Sequence, residues 1–446
     1  MKNPQKLLLQ ITKRLSDIKW RFLLLLIVPI SLLLFIYTTT AAAAAHGGGF
    51  SDYNPFYYLN NLKSLFYNSN NENRSSNYSV RTFPATDTAA LPPVIGDRKA
   101  ELERSRMAVC LVGGARRFEL TGPSIVEKIL EEYPNADLFV NSPLDSKSYK
   151  FCLLKSAPRI AAIRIFRPEK IPESESAVRV LTASNSPKGI QGLLQYFNLV
   201  EGCLTMVKSY QQRNNFTYDW IIRTRVDGYW STRLRPDFFI PGHYVVPSGS
   251  SYGGLNDRFG VGDLNTSITA LSRLSMIPEL DSAEFHELNS ESAFLAQLRV
   301  RNISFLTKPL PFCVVSDRTY DFPPERFGVP VADLSSKGPL SGVKCRPCTA
   351  RFSGRSAAKV VNGLDRQWSW TDTGNDTLKL CDGHGGWEDG WEKLFDSVAG
   401  KKLATVRKRV SELSFEECVA DFEYLKRRSA VWDVLPAVDL CRKFRR

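Results

Sequence analysis

The residues best spaced for chemistry in this chain are Arg223, Arg225 and Asp227, in the run Tyr218-Asp219-Trp220-Ile221-Ile222-Arg223-Thr224-Arg225-Val226-Asp227. Trp220, Ile221 and Ile222 predict a buried strand, and the two arginines and the aspartate follow at every second position. Side chains of an extended chain alternate between faces, so this spacing aims all three to one side. In open α/β sheets, ligands bind beyond the carboxyl ends of the strands. Two guanidiniums and a carboxylate placed there suit a diphosphate, a metal ion, or both. A surface ion-pair cluster is the competing reading of the same residues.

Other groups bear on the same chemistry. Gly113-Gly114-Ala115-Arg116-Arg117 follows the apolar run Met107 to Val112. Backbone N–H groups of such a turn can cradle a nucleotide, with Arg116 on phosphate. A plain strand-to-helix turn explains it equally well. The three-glycine spacing of a dinucleotide fingerprint and the Gly-Lys-Ser/Thr of a P-loop are both absent. Further on, Asn256-Asp257-Arg258-Phe259-Gly260-Val261-Gly262-Asp263 has a glycine density that permits close backbone approach to a ligand. Arg258 joins the candidate ligand-binding set.

Asp257, Asp263 and Glu291 are the candidate general bases. Asp257 is also a natural turn former, and Glu291, after Ser290, a natural helix N-terminal acid. Cys345, Cys348, Cys381 and His384 superficially suggest zinc, and His384 a late metal ligand. In an oxidising compartment disulfides are the preferred reading of those cysteines, and a surface loop that of the histidine. No Gly-X-Ser-X-Gly elbow supports serine hydrolase chemistry.

The elements that must position these groups are legible by period. Met107 to Val112, Asp137 to Val140, Ala161 to Phe166 and the run from Trp220 read as strands. Ser124 to Tyr133 and Gly189 to Gln211 read as helices, the second with Leu193, Leu194, Phe197, Val200, Leu204 and Val207 inward. Strands alternating with helices predict a mainly parallel sheet with helices on both faces. Tyr244 to Pro247 and Phe305 to Leu310 read as later strands, Thr266 to Met276 and Ser290 to Arg299 as later helices. Beyond Phe312 the chain turns Cys-, Trp- and Gly-rich. Leu403 to Leu413 and Ser414 to Lys426 then predict helices, the second with a Ser414/Glu417 capping box. Residues 313–446 therefore read as an α-rich C-terminal extension.

The chain has 446 residues, 43% hydrophobic, with a formal charge of +13. That size suggests one large domain with appendages. The positive charge is split between the first twenty residues and the tail, and no nucleic-acid-binding signature accompanies it. Phe22 to Tyr37 is almost wholly apolar and uncharged residues continue to Ala45, preceded by Lys2, Lys6, Lys13, Arg14, Lys19 and Arg21. That pattern predicts a cytoplasmic tail (1–21), a transmembrane signal-anchor (22–45), a stem (46–99) and a lumenal α/β domain (100–312). A cleaved signal peptide is the alternative. Asn-X-Ser/Thr acceptors at Asn73, Asn77, Asn215, Asn265, Asn302 and Asn375, and all 9 cysteines, lie on the lumenal side. Both fit a secretory compartment, with one cysteine left over or paired between chains.

The order of these motifs resembles a family. Val109 to Phe118, Ala136 to Asn141, Tyr218 to Asp227, Asn256 to Gly262 and Ser290 to Leu295 are similar to successive elements of glycosyltransferases with an Arg-X-Arg-X-Asp motif. The whole chain resembles a plant family of single-pass (type II) membrane proteins carrying such a domain. The resemblance implies a GT-A-like fold and a Golgi enzyme that moves a sugar from a nucleotide diphosphate sugar to a glycan or glycoprotein acceptor. On that reading Gly113, Gly114, Arg116, Arg223, Arg225, Asp227 and Arg258 hold the donor, and Asp257 or Glu291 acts as base. Such enzymes use an Asp-X-Asp element to bind a divalent cation, Mn or Mg. Here the matching triplet is Arg225-Val226-Asp227, so Asp227 is the one metal ligand left and metal dependence stays open. The alternative is a non-catalytic lumenal glycan-binding or scaffold protein that keeps the fold.

Overall fold

The computed structural model describes residues 95–184, 186, 188–323, 329–364 and 377–442. The expected cytoplasmic tail, signal-anchor and all but the last residues of the stem lie outside them, as do Asn73, Asn77 and Asn375. Among the described residues no helix is long and apolar enough to cross a membrane.

The first strand, β1 (Met107–Val112), is apolar throughout and buried throughout. Such a run needs cover on both faces, which a central parallel strand receives. It pairs in parallel with β2 (Ala136–Pro143) on one side and with β4 (Trp220–Arg225) on the other. β3 (Ile160–Phe166) extends the sheet beyond β2. The chain thus builds outward from β1 through β2 to β3, then crosses back to lay β4 on the opposite flank. Such a reversal is a topological switch point, where the strand ends splay and leave a crevice.

A three-residue strand, β5 (Gly228–Trp230), leaves β4 for a second sheet. β6 (His243–Pro247), β7 (Phe259–Asp263) and β8 (Ser304–Lys308) complete the first, in the order β3-β2-β1-β4-β7-β6-β8. β7 runs antiparallel to β4. Val109 and Leu111 pack under the helical segment from Phe118 to Leu130 and the late helices carrying Val410 and Phe422. Ala108, Cys110 and Ile221 pack under the helices Gly189–Asn214 and Ser290–Val300. The mixed α/β architecture with helices on both faces is the expected one.

Four differences have physical reasons. Helical structure begins at Phe118, ahead of Ser124, and widens into a π-turn over Val126–Leu130. Gly122 and Pro123 hide the start, but a Cβ at Gly122 would fall 2.6 Å from the Phe118 ring. A helix, Ile95–Arg104, precedes β1, tied down by Arg98 to the Phe239 carbonyl at 2.7 Å and Lys99 to Glu132 at 2.6 Å. The glycines of the Asn256 to Asp263 segment serve packing: Gly260 and Gly262 lie in β7, where a Cβ at either would overlap the Tyr244 ring.

The fourth difference is the C-terminal region, which adds strands to its helices. β9 (Phe312–Val315), β10 (Val331–Asp333), β11 (Lys344–Arg346), β12 (Phe352–Ser353) and β13 (Lys379–Leu380) join β5 in the second sheet, in the order β12-β13-β10-β11-β9-β5. β14 (Ser429–Val434) pairs in parallel with β3 at the edge of the first. Short strands separated by Pro, Gly and Ser show no period long enough to read. The helix Phe415–Arg428 carries the expected Ser414/Glu417 capping box.

Disulfides join Cys110 to Cys203, Cys313 to Cys345, Cys348 to Cys381 and Cys418 to Cys441. Cys152 is the free, buried thiol, pushed up to about 12 by burial and so inert at neutral pH.

Candidate functional site

β1 and β4 end side by side, with Val112 opposite Arg225. The segments leaving them meet at Asp227. Its Oδ1 accepts from Arg225 Nε at 2.8 Å, and its Oδ2 from Arg225 Nη2 at 2.8 Å and Arg116 Nη1 at 2.6 Å. Asp227 is 4% exposed, whereas the Arg116 side chain is 49% exposed. Burial pushes the Asp227 carboxyl up, but Arg225 and Arg116 outweigh it and hold the acid well below its usual range. Burial likewise disfavours the Arg225 cation, and Asp227 more than restores it.

Arg223 and Arg225 do share one face of β4, but depth separates them. Arg223 is 2% exposed and donates to the Tyr196 hydroxyl at 3.2 Å. It therefore props the floor of the crevice, while Arg225 and Arg116 form its rim. Gly113 takes φ +124, a conformation that excludes most side chains. Its N–H donates to the Asn141 carbonyl, and the Ala115 N–H to Asp145 Oδ2 at 3.1 Å. A Cβ at Gly114 would come within 2.7 Å of that same carboxylate. These two amides are engaged within the protein, so the loop's contribution is to aim the Arg116 side chain.

Two further cations close the crevice, Arg258 just before β7 of the first sheet and Lys344 on β11 of the second. Arg258 is buried and donates Nη1 to the Gly342 carbonyl at 2.8 Å. Lys344 stands on β11 opposite Val314, which stands opposite Gly228, the residue after Asp227. The Lys344 ammonium makes no hydrogen bond or ion pair among the described residues. Burial, then the charges of Arg258 and Arg225, hold its ammonium well below the usual lysine range, and Asp227 only partly offsets them. An unpaired, half-buried cation among cations is unfavourable unless an anion completes the set. Sequence reasoning missed Lys344, which lies in a stretch without period or motif and reaches the site only through strand pairing.

The candidate bases separate by environment. Asp263 caps the helix Leu264–Leu271, accepting from the Thr266 N–H at 2.9 Å, and also takes the Gly242 N–H at 2.7 Å. Asp257 is buried, accepts from the Ser290 hydroxyl and lies 3.4 Å from Arg273. Arg273 is wedged against Phe197 and Phe294 and also donates to the Ser290 carbonyl at 2.8 Å. Burial pushes Asp257 up, but Arg273 and Arg223 hold it below its usual range. Glu291, half-buried beside it, is pushed up to about 8 by burial and then by the Asp257 charge. Burial and the neighbouring charges thus drive these two carboxyls in opposite directions.

Both Asp227 oxygens already accept from guanidiniums, and no group of three His, Cys, Asp or Glu is gathered for a metal among the described residues. His384 lies on the surface between Asp382 and Asp321. The zinc set is taken apart by the disulfides, since Cys345 pairs with Cys313 and Cys348 with Cys381.

Residues 102–445 match a family described as "Domain of unknown function (DUF7796)". No curated protein matches the chain.

Proposed function

The chain belongs to the DUF7796 family, and from its site we propose a glycosyltransferase of GT-A-like architecture. Its donor is a nucleotide diphosphate sugar and its acceptor a glycan or glycoprotein. One observation carries the reading: Arg116, Arg225 and Asp227 converge at the switch point between β1 and β4, facing an unpaired Lys344. Ligands of open α/β sheets bind at such a crevice. A diphosphate supplies the anion that this cluster lacks, and arginine forks match its oxygens.

In the proposed reaction an acceptor hydroxyl attacks the anomeric carbon. The bond from that carbon to the diphosphate oxygen breaks, the electron pair leaves with the diphosphate, and Glu291 takes the hydroxyl proton. Arg116, Arg225 and Lys344 stabilise the departing charge, the role otherwise filled by a cation. Asp227 holds the two guanidiniums in place, and Arg223 with Tyr196 supports them from below.

Calorimetry with uridine and guanosine diphosphates, with and without manganese, tests the donor site. Arg225→Lys keeps the charge but loses the fork, so affinity is expected to fall about tenfold or more. Lys344→Met is expected to weaken nucleotide binding too, while the ligand-free protein becomes no less stable, since an unpaired, half-buried charge is removed from among other cations. Equal affinity in wild type and both variants would remove these residues from the site. Should the folded wild type bind no nucleotide sugar, the non-catalytic glycan-binding or scaffold reading takes over. The observation favouring that second reading is the full engagement of Asp227 by protein groups.

We place the domain in the Golgi lumen, held there by the apolar span before Ala45. Asn215, Asn265 and Asn302 are all exposed, as glycan acceptors must be. Glycosidase treatment of the protein from native membranes is expected to lower its apparent mass. An unshifted band, together with digestion of the domain by protease added outside sealed vesicles, would overturn this topology.

A further inference from the structure

Beside the diphosphate crevice lies a cavity of about 360 Å³, lined by Arg117, Asp317, Trp387, Glu388, Trp391 and Glu392 among others. That volume sits at the lower end of the ~300–1,000 Å³ range of small-molecule sites. It shares two backbone segments with the crevice. Arg117 directly follows Arg116, whose Cα is therefore about 3.8 Å away. Val315 N–H donates to the Asp227 carbonyl at 2.9 Å, and the next residue, Ser316, accepts from Trp387 Nε1 at 2.9 Å.

The two indoles are held edge to face, with centroids 4.8 Å apart. Arg117 lies over Trp387 at 4.2 Å and over Trp391 at 5.0 Å, and donates Nε to Asp317 at 2.5 Å. Glu388 is fixed through Oε1, which accepts from the Thr349 N–H and hydroxyl, both at 2.8 Å. Its Oε2 has no partner among the described residues, and the side chains of Asp389 and Glu392 make no hydrogen bond among them.

We infer that this cavity binds a saccharide unit of the acceptor, a reading that rests on the proposed transferase. Aromatic faces take the C–H face of a sugar ring, and fixed carboxylates accept from its hydroxyls. An apolar ligand would leave those carboxylates unpartnered. A cationic ligand over the indoles would meet Arg117, which already lies over both rings, so the sugar ring packs on the part of them that Arg117 leaves open. A sugar seated here lies next to the groups that hold the donor diphosphate.

The test is a printed array of neutral and acidic oligosaccharides probed with the full-length protein in detergent. The best binder is then titrated by tryptophan fluorescence. Binding is expected in wild type and weakened roughly tenfold or more in Trp391→Ala, the scale of losing one stacking aromatic. The double variant Asp389→Asn/Glu392→Gln, which removes two charges and keeps both shapes, is expected to weaken it as well. Uridine or guanosine diphosphate affinity should be unchanged in both variants. Arg225→Lys should do the reverse, losing nucleotide and keeping the oligosaccharide. Saccharide binding without any nucleotide binding would refute the transferase reading and leave the cavity assignment standing. Binding of no oligosaccharide, binding indifferent to all three substitutions, or displacement by an oligolysine peptide would overturn the assignment.

Discussion

Glu291→Gln is expected to bind the donor nucleotide as wild type does and to lose turnover by roughly 10²-fold or more, the scale of a missing general base. The side chains are isosteric, so the loss isolates proton transfer. The pH profile supplies an independent check. Glu291 is pushed up to about 8 by its burial and by Asp257. A base works deprotonated, so wild-type kcat/KM should rise with pH through about 8 and level off above it. In Glu291→Gln that rising limb should vanish. The same raised value has a stability consequence of definite sign. The folded state holds the proton more tightly than the unfolded chain, whose carboxyl titrates near its ordinary 4.5. Stability from this group is complete below about pH 4.5 and is lost as pH rises toward 8. Asp257→Asn should behave differently, because that carboxylate answers the buried Arg273. It should lower the melting temperature and keep the rising limb, moved to lower pH because the Asp257 charge no longer pushes Glu291 up. A limb unchanged in Glu291→Gln would exclude this residue as the base.

Asp227→Asn is expected to cost about 3–5 kcal/mol of stability, the range for removing one partner of a buried ion pair. The lower end is favoured because Arg116 is half exposed. The amide leaves Arg225 and Arg116 without their common anion and beside Lys344, so the crevice carries uncompensated positive charge. The folded-state acid is depressed below its ordinary 3.8. Its contribution is therefore present above about pH 4 and is lost as pH falls below it. Denaturant midpoints of wild type and Asp227→Asn should differ at pH 7 and converge in acid. Transfer should be lost as well, since the arginines no longer have a fixed direction. A nucleoside diphosphate should stabilise Asp227→Asn in part, because it supplies an anion in the same place. Equal stability at pH 7 would show that the pair is merely superficial.

The sequence by itself determined whatever depends on residues close along the chain. The apolar run Met107–Val112 could only be a covered strand, and the i, i+2 spacing of Arg223 and Arg225 put both on one face of β4. The 26-residue helix Gly189–Asn214 announced itself by its period, and the capping box at Ser414 and Glu417 by its residue types. Burial depth, pairing partners and charge balance belong to the tertiary structure. Period two cannot say that Arg223 ends under Tyr196 while Arg225 reaches Asp227. It cannot say that Arg116, one strand away, takes an oxygen of that same carboxylate. Nor can composition distinguish Asp257, Asp263 and Glu291, which differ only in the groups packed around them. Lys344 shows the limit most plainly. Its short strand carries no local signal, and its role arises from register across β5, β9 and β11. Electrostatic energies depend on distances in space and on how far water is excluded, and only the assembled sheets set both.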